Sequence, residues 1–151
     1  MSDQINRVHN PAADLDEVVR LSKNFLLSEF HCKDGTPVPP ELVPALTEFV
    51  ENGPQKIRTF FGARTEIVSG YRTPAHNKRV GGAKRSYHMY GHVEGRAKDV
   101  FACDMAVRGV DPKVVYEVVL GLMRLGVIEK GGVGLYPWGV HLDDRGFIVE
   151  F

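Results

Sequence analysis

The chain has 151 residues, a length that predicts one domain with a core large enough to fold without disulfides. Hydrophobic residues make up 43% of the chain and charged residues 25%, which excludes a disordered protein. The 19 basic and 19 acidic residues balance, so we expect no nucleic-acid partner. No apolar run reaches the roughly 18 residues that a membrane span needs.

The N-terminal segment and the two cysteines indicate where the protein is made. The segment lacks a basic start followed by an apolar stretch, so we expect no secretory signal and synthesis in the cytoplasm. Cys32 and Cys103 form no CxxC pair, which predicts two reduced thiols. We expect a monomer with a single domain over residues 1–151, of which 1–13 form a loose segment.

The first half of the chain has the pattern of helices followed by a strand. Asp14–Leu27 is predicted to be a short helix with Asp14 as its N-cap. Apolar residues recur with helical spacing from Glu41, pause at Gly53-Pro54 and end near Gly62. Thr65–Ser69 has the composition of a short strand.

The second half is predicted to supply most of the sheet. Residues 70–98 have little regular pattern and are rich in Gly, Lys, Arg, His and Tyr, which is typical of a functional loop. Asp111-Pro112 predicts the start of a helix that ends near Gly126. The predicted strands are Val100–Val107, Val133–Tyr136, Gly139–Leu142 and Phe147–Phe151. Helices first, then strands with one inserted helix, favour an α+β fold with a small antiparallel sheet.

Three residues that are distant in sequence stand where a metal site could form. His88 lies in the Gly-rich loop, whereas Asp104 and His141 lie in predicted strands. Two imidazoles and one carboxylate around Zn²⁺ leave a fourth position for water, whose pKa the metal lowers toward neutrality. Their spacing alone carries little weight, because most histidines are not ligands.

Several longer motifs carry more weight because they occur in one order. The segments are FLLSEF at 25–30, SGYRTPAHN at 69–77, GGAKRSYHMYG at 81–91, ACDM at 102–105, GGVGLYP at 131–137 and VHLDDRG at 140–146. Together they resemble the M15 zinc peptidases, particularly the D-alanyl-D-alanine carboxypeptidase-like branch, over about residues 25–150.

The resemblance implies a fold, an activity and a cofactor. The expected fold is a small antiparallel sheet that carries a zinc site and packs against helices, as in hedgehog and D-Ala-D-Ala peptidases. The expected activity is hydrolysis of peptide bonds in bacterial cell-wall peptide, of the D,D-carboxypeptidase or endopeptidase type. The implied zinc ligands are His88, Asp104 and His141.

One departure from the family pattern leaves a second ligand pair open. The family usually places the Asp seven positions after the His, whereas Asp104 follows His88 by 16. Residues 92–100 have the character of an insertion and repeat the usual spacing with His92 and Asp99. We prefer His88 and Asp104, because the sequences that flank them on the outer sides match the family.

The remaining roles are assigned to a few polar side chains. Arg72 is predicted to bind a substrate carboxylate or to stabilise the oxyanion, and Ser86 to bind substrate or hold the loop. Asp143 shares a strand face with His141, so it is either the general base or the partner that orients His141. His92 or Glu94 of the insertion could also reach the site.

Two other functions stay open beside the peptidase. No acidic residue or histidine stands just before His141, where many relatives carry one, so a non-catalytic metal-stabilised binding module or phage structural module is the alternative. A hydrolase of another substrate on the same scaffold is also possible. The missing signal fits a phage or prophage endolysin that reaches the cell wall after release by a partner protein.

Overall fold

The computed structural model describes residues 19–151. Its strands are β1 (Arg20–Ser22), β2 (Phe25–Leu26), β3 (Thr65–Ser69), β4 (Ala102–Val107), β5 (Gly132–Tyr136), β6 (Gly139–Asp143) and β7 (Val149–Glu150). Its α-helices are α1 (Val43–Asn52), α2 (Pro54–Phe61), α3 (Pro74–Arg79) and α4 (Pro112–Arg124), with 3₁₀ turns at Leu27–Phe30 and Pro40–Leu42. The α+β class predicted from the sequence is confirmed.

The main sheet has the strand order β3-β4-β6-β5-β7. All its pairs are antiparallel except β5 with β7, which are parallel, so the sheet is mixed at one edge. Strand β6 runs antiparallel to β5. The chain reverses direction once more between β6 and β7, so β7 runs in the same direction as β5. The predicted strand Phe147–Phe151 pairs only over Val149–Glu150.

The two faces of this sheet have different roles. Cys103, Met105, Val140 and Leu142 point to the apolar face, where α4 packs against β4, β5 and β6. The alternate residues of β4 and β6 therefore lie on the opposite face, which the loop between α3 and β4 covers. Both faces of the central strands are buried, which explains why polar side chains of β4 and β6 have little contact with solvent.

The predicted helix over Asp14–Leu27 is wrong in the part that the structure describes, and residues 14–18 lie outside the described residues. Residues 20–26 form the β1–β2 hairpin instead. Gln55 Oε1 accepts hydrogen bonds from Ser22 Oγ and from the backbone N–H of Asn24, which hold the turn against α2. Contacts with a distant helix thus override the local helical spacing.

The region 70–98 contains one element that periodicity did not indicate. Helix α3 has only six residues, too few to show a repeat, but Thr73 caps it by accepting a hydrogen bond from His76 N–H. Between residues 19 and 151, none of the helices has both the length and the apolar character to cross a membrane.

Candidate metal centre

The candidate site is built on a row of residues across the polar face of the sheet. Ser69 of β3 pairs with Asp104 of β4, Asp104 pairs with His141 of β6, and His141 pairs with Gly134 of β5. Directly opposed residues of neighbouring antiparallel strands lie about 5 Å apart and on the same face. Strand register therefore brings Asp104 and His141 together although 37 positions separate them.

His88 completes the group from the loop above the sheet. One ligand atom from each of His88, Asp104 and His141 lies within 4.8 Å of the other two. Asp104 Oδ1 is 3.2 Å from His88 Nε2 and 3.0 Å from His141 Nδ1. The three residues are 3%, 3% and 6% exposed, so solvent screens the interactions between their charges only weakly.

The other nitrogen of each imidazole is already occupied by an acceptor. His88 Nδ1 donates to the backbone carbonyl of Gly70 at 2.7 Å, because a carbonyl oxygen can only accept. His141 Nε2 donates to Asp143 Oδ2 at 2.8 Å. The remaining nitrogens, His88 Nε2 and His141 Nδ1, therefore both turn their lone pairs toward Asp104 Oδ1 when the rings are neutral.

The pKa values in the group follow from burial and from these contacts. Burial lowers the pKa of His88, so this ring is neutral at physiological pH. Burial lowers the pKa of His141 too, but hydrogen bonds with Asp104 and Asp143 outweigh it and raise the pKa. Burial raises the pKa of Asp104, but its close contacts with the His141 and His88 rings outweigh burial and hold this pKa well below its usual range. Either a proton on His141 or a cation between the groups relieves the repulsion of lone pairs, so this set of donors could hold a metal ion.

Both carboxylate oxygens of Asp143 already accept hydrogen bonds from neighbouring groups. Its Oδ1 accepts from Gly132 N–H and from Arg145 Nε, and its Oδ2 accepts from His141 Nε2 and from Arg145 Nη2. The side chain has no exposed surface. Burial raises its pKa, but Arg145 and His141 outweigh this and keep the carboxylate ionised. Metal-bound histidines typically donate one ring N–H to a carboxylate in this way, while the other ring nitrogen faces the metal.

Glycines of β5 provide the room for this buried ion pair. A Cβ on Gly132 would lie 2.4 Å from Asp143 Oδ2 and 2.6 Å from Arg145 Nη2. Contacts this short do not occur, so any side chain at 132 would displace the pair. The second glycine of the GGVG segment, Gly132, is therefore required on steric grounds.

Arg72 lies beside the outer oxygen of Asp104. Its Nη2 is 3.2 Å from Asp104 Oδ2, its Nε donates to Ser69 Oγ, and its Nη1 is 3.4 Å from Asn77 Oδ1. The side chain is 17% exposed and borders the cleft next to the group. The structure therefore places Arg72 where it orients Asp104 and also presents positive charge to the cleft.

Ser86 orders the loop that carries His88. Its Oγ accepts a hydrogen bond from His88 N–H at 3.2 Å, and the backbone N–H of Arg72 donates to the His88 carbonyl. Ser86 also borders the cleft. The structure thus brings the predicted residues Arg72 and Ser86 to the same cleft as His88.

The alternative ligand pair from the insertion lies elsewhere. His92 stacks on the ring of Tyr71 and shares a 2.6 Å hydrogen bond with its hydroxyl. Asp99 is exposed, and neither residue belongs to the His88 group. Glu94 is exposed too, and its backbone carbonyl binds Arg85.

A cleft of about 460 Å³ opens beside the three residues. Its lining includes three arginines, Arg72, Arg85 and Arg145, and contains no Asp or Glu among the described residues. Tyr136 also borders it, and burial raises the pKa of its hydroxyl, which therefore stays protonated. Tyr136 was not among the predicted site residues. The signal available for it was its place in the GGVGLYP motif.

Comparison with known proteins agrees with this geometry. The family model described as Peptidase M15 matches residues 20–143, which include all three residues of the candidate site. Comparison with curated proteins and with solved structures gave no match. The family match covers most of the chain, and M15 peptidases depend on a metal, which the His88, Asp104 and His141 group could hold. The chain belongs to the peptidase M15 family.

Proposed function

We propose that this protein is a zinc-dependent peptidase that hydrolyses bacterial cell-wall peptide, with His88, Asp104 and His141 as zinc ligands. The observation that carries the proposal is the inward direction of His88 Nε2 and His141 Nδ1 toward one oxygen of Asp104. Zinc accepts imidazole and carboxylate ligands, and three protein ligands leave a position for water or substrate.

The chain's own residues prepare the site for the reaction. When bound, zinc polarises the scissile carbonyl and lowers the pKa of a water molecule. The Gly70 carbonyl and Asp143 hold the two imidazoles in the tautomers that ligation requires. Arg72 presents positive charge at the cleft, where it stabilises the negative oxygen of the transition state. The protonated hydroxyl of Tyr136 donates a hydrogen bond to the substrate.

The charge of the cleft supports a peptide substrate that carries carboxylates. Arg72, Arg85 and Arg145 border it, and the carboxylates that pair with Arg72 and Arg145, those of Asp104 and Asp143, lie behind the lining. Peptides of the bacterial cell wall carry carboxylates at their C-terminus and on some side chains, and guanidinium groups bind these well. The M15 motifs favour the D,D-carboxypeptidase or endopeptidase type. We also propose that the enzyme acts at the cell wall, in the manner of a phage endolysin.

Asp143 acts in this proposal as a positioning residue. Every oxygen of its carboxylate already accepts hydrogen bonds, and it lies on the side of His141 away from Nδ1. Hydrolysis also requires a group that passes the proton of water to the leaving amine. The lining of the cleft offers no free carboxylate for this step among the described residues, which favours the non-catalytic metal-stabilised module as the second candidate.

Metal content and peptide cleavage together test the proposal. By elemental mass spectrometry we expect each of His88→Ala, Asp104→Ala and His141→Ala to hold about one zinc per chain less than the unaltered protein. His92→Ala is the matched control and should hold as much zinc as the unaltered protein. If His92→Ala loses the metal and His88→Ala keeps it, the ligand assignment is wrong.

Soluble cell-wall pentapeptide and cross-linked peptide dimers are the substrates for the second measurement. Mass spectrometry separates loss of a terminal D-alanine from cleavage of a cross-link. We expect cleavage that stops when the metal is chelated and falls at least about 100-fold in Arg72→Ala, a loss typical of a group that stabilises an oxyanion. Bound zinc without cleavage of either substrate would favour the non-catalytic module.

A further inference from the structure

A second group of metal-binding side chains lies outside the site described above. Ligand atoms of Cys32, Asp34 and His76 all lie within 4.8 Å of one another. Cys32 is a free thiol with 3% exposure, and the side chain of Asp34 is 18% exposed. His76 is partly exposed on α3, so one side of the group faces solvent.

A tight turn brings the first two of these side chains together. Cys32 N–H donates to the Thr36 carbonyl, and Gly35 N–H donates to the Cys32 carbonyl. Gly35 has a φ of +96°, a backbone conformation that residues with a side chain rarely adopt. This conformation closes the turn directly after Asp34. Thr36 N–H donates to Asp34 Oδ1 at 2.8 Å and fixes the direction of the carboxylate.

The same carboxylate is tied to the helix that carries His76. Thr73 Oγ1 donates to Asp34 Oδ2 at 2.9 Å and accepts from His76 N–H at 3.1 Å. One hydroxyl thus links the turn to the first residues of α3. Such hydrogen bonds from outside the group orient ligands before a metal arrives.

The charge state of the group also suits a cation. Hydrogen bonds from Thr36 and from the Cys32 thiol hold the pKa of Asp34 well below its usual range, so its carboxylate is ionised. Arg79 Nη2 stands 3.8 Å from Asp34 Oδ2, but its side chain is 65% exposed and free to turn into solvent. A thiolate, an imidazole and a carboxylate are the ligand types that Zn²⁺ accepts, whereas Mg²⁺ and Ca²⁺ require oxygen.

We propose that Cys32, Asp34 and His76 form a second divalent-metal site, of the zinc class, with water as the remaining ligand. Binding displaces the proton of the Cys32 thiol to solvent and leaves a metal–thiolate bond. The site shares no residue with the His88 group, so its metal binding can be measured without an assay of hydrolysis.

Its role is to hold the segment that carries Arg72. Tyr71 N–H donates to the Phe30 carbonyl, and a Cβ on Gly70 would lie 2.8 Å from Phe30 Cα, so the two segments already touch at this point. A metal between Cys32, Asp34 and His76 would strengthen the second link, which the hydrogen bond between Thr73 and Asp34 already makes a few residues further along each segment. Arg72 lies between the two links, so the metal would fix its position at the cleft.

Cobalt substitution tests the site without any activity assay. A cobalt–thiolate bond produces an intense near-ultraviolet charge-transfer band, which nitrogen and oxygen ligands do not produce. We expect the full-length protein, stripped of metal and titrated with Co²⁺ under reducing conditions, to bind two ions per chain and to show this band. The band should disappear in Cys32→Ser and fall strongly in His76→Ala, whose partly exposed side chain can be removed with little effect on folding.

Two matched variants separate this site from the first one. Cys103→Ala removes the other thiol, and His88→Ala removes a ligand of the catalytic group, and both should keep the band. One cobalt per chain with the band would support the second site and contradict the proposed catalytic site. One or no cobalt without the band would overturn the second site, and so would a band that depends on Cys103.

Discussion

His141 Nδ1 and Asp104 Oδ1 face each other at 3.0 Å across the pairing of β6 with β4. Because His141 Nε2 donates to Asp143, a neutral ring turns a lone pair toward an ionised oxygen. A proton on Nδ1 or a metal ion removes this repulsion, and the two compete for the same position.

This competition predicts how zinc stabilisation depends on pH. The raised pKa of His141 means that its contribution to metal-free stability is full below about pH 6.5, the ordinary pKa of histidine, and is lost as the pH rises through the raised value. Zinc must displace that proton, so its affinity falls up to about tenfold per pH unit below the raised pKa. We expect the increase in Tm on adding zinc to be larger at pH 8 than at pH 6, measured by thermal denaturation in His76→Ala. An equal increase at both pH values would contradict this.

Replacing Asp143 distinguishes a positioning residue from a general base. Asp143→Asn weakens the hydrogen bond to His141 and the ion pair with Arg145, so we expect zinc affinity to fall about 10- to 100-fold. Competition with a chelator of known affinity measures this, and Asp144→Asn is the matched control. Unchanged zinc affinity with a lost turnover rate would instead assign Asp143 the role of base.

Asp144 is expected to limit stability at neutral and alkaline pH. Burial raises its pKa to about 7, with further contributions from Asp143 and Asp99. An acid whose pKa is raised in the folded state keeps a proton that the unfolded chain releases, so stability falls as the pH rises from about 4 to about 7.

Asp144→Asn should remove this fall in stability. Its amide oxygen can still accept the 2.7 Å hydrogen bond from Phe101 N–H. We expect Tm to rise by at least about 2 °C at pH 8, the shift that 1 kcal/mol produces in a chain of this size, with little change at pH 4. An equal rise at both pH values would show that ionisation is not the cause.

A methyl group on Gly132 should disturb the metal site through steric contact. Gly132→Ala places Cβ against the buried Asp143 and Arg145 pair, so we expect a loss of about 1–3 kcal/mol in the free energy of unfolding and weaker zinc binding. Gly121→Ala in α4 is the control, because nothing lies within 4 Å of its Cβ. It should stabilise the helix by up to about 1 kcal/mol and leave zinc binding unchanged. Denaturant unfolding and zinc titration check both variants.

The amino-acid sequence by itself determined the α+β class, helix α4, strand β3 and the family. Capping residues such as Asp111 and the apolar spacing of a long helix act within a few residues, so they can be detected along the chain. The motifs also named His88, Asp104 and His141 as one candidate set, since several short segments in a fixed order are specific. Residues 20–26 show the limit, because their hairpin depends on Gln55, about thirty positions away.

Only the tertiary structure decided how the side chains of the site face one another. Strand register sets Asp104 opposite His141, and the Gly70 carbonyl turns His88 inward. Tertiary contact also occupies every oxygen of Asp143 and brings Cys32 and Asp34 to His76, more than forty positions away. These relationships depend on hydrogen bonds and packing between distant segments, so local propensity cannot predict them.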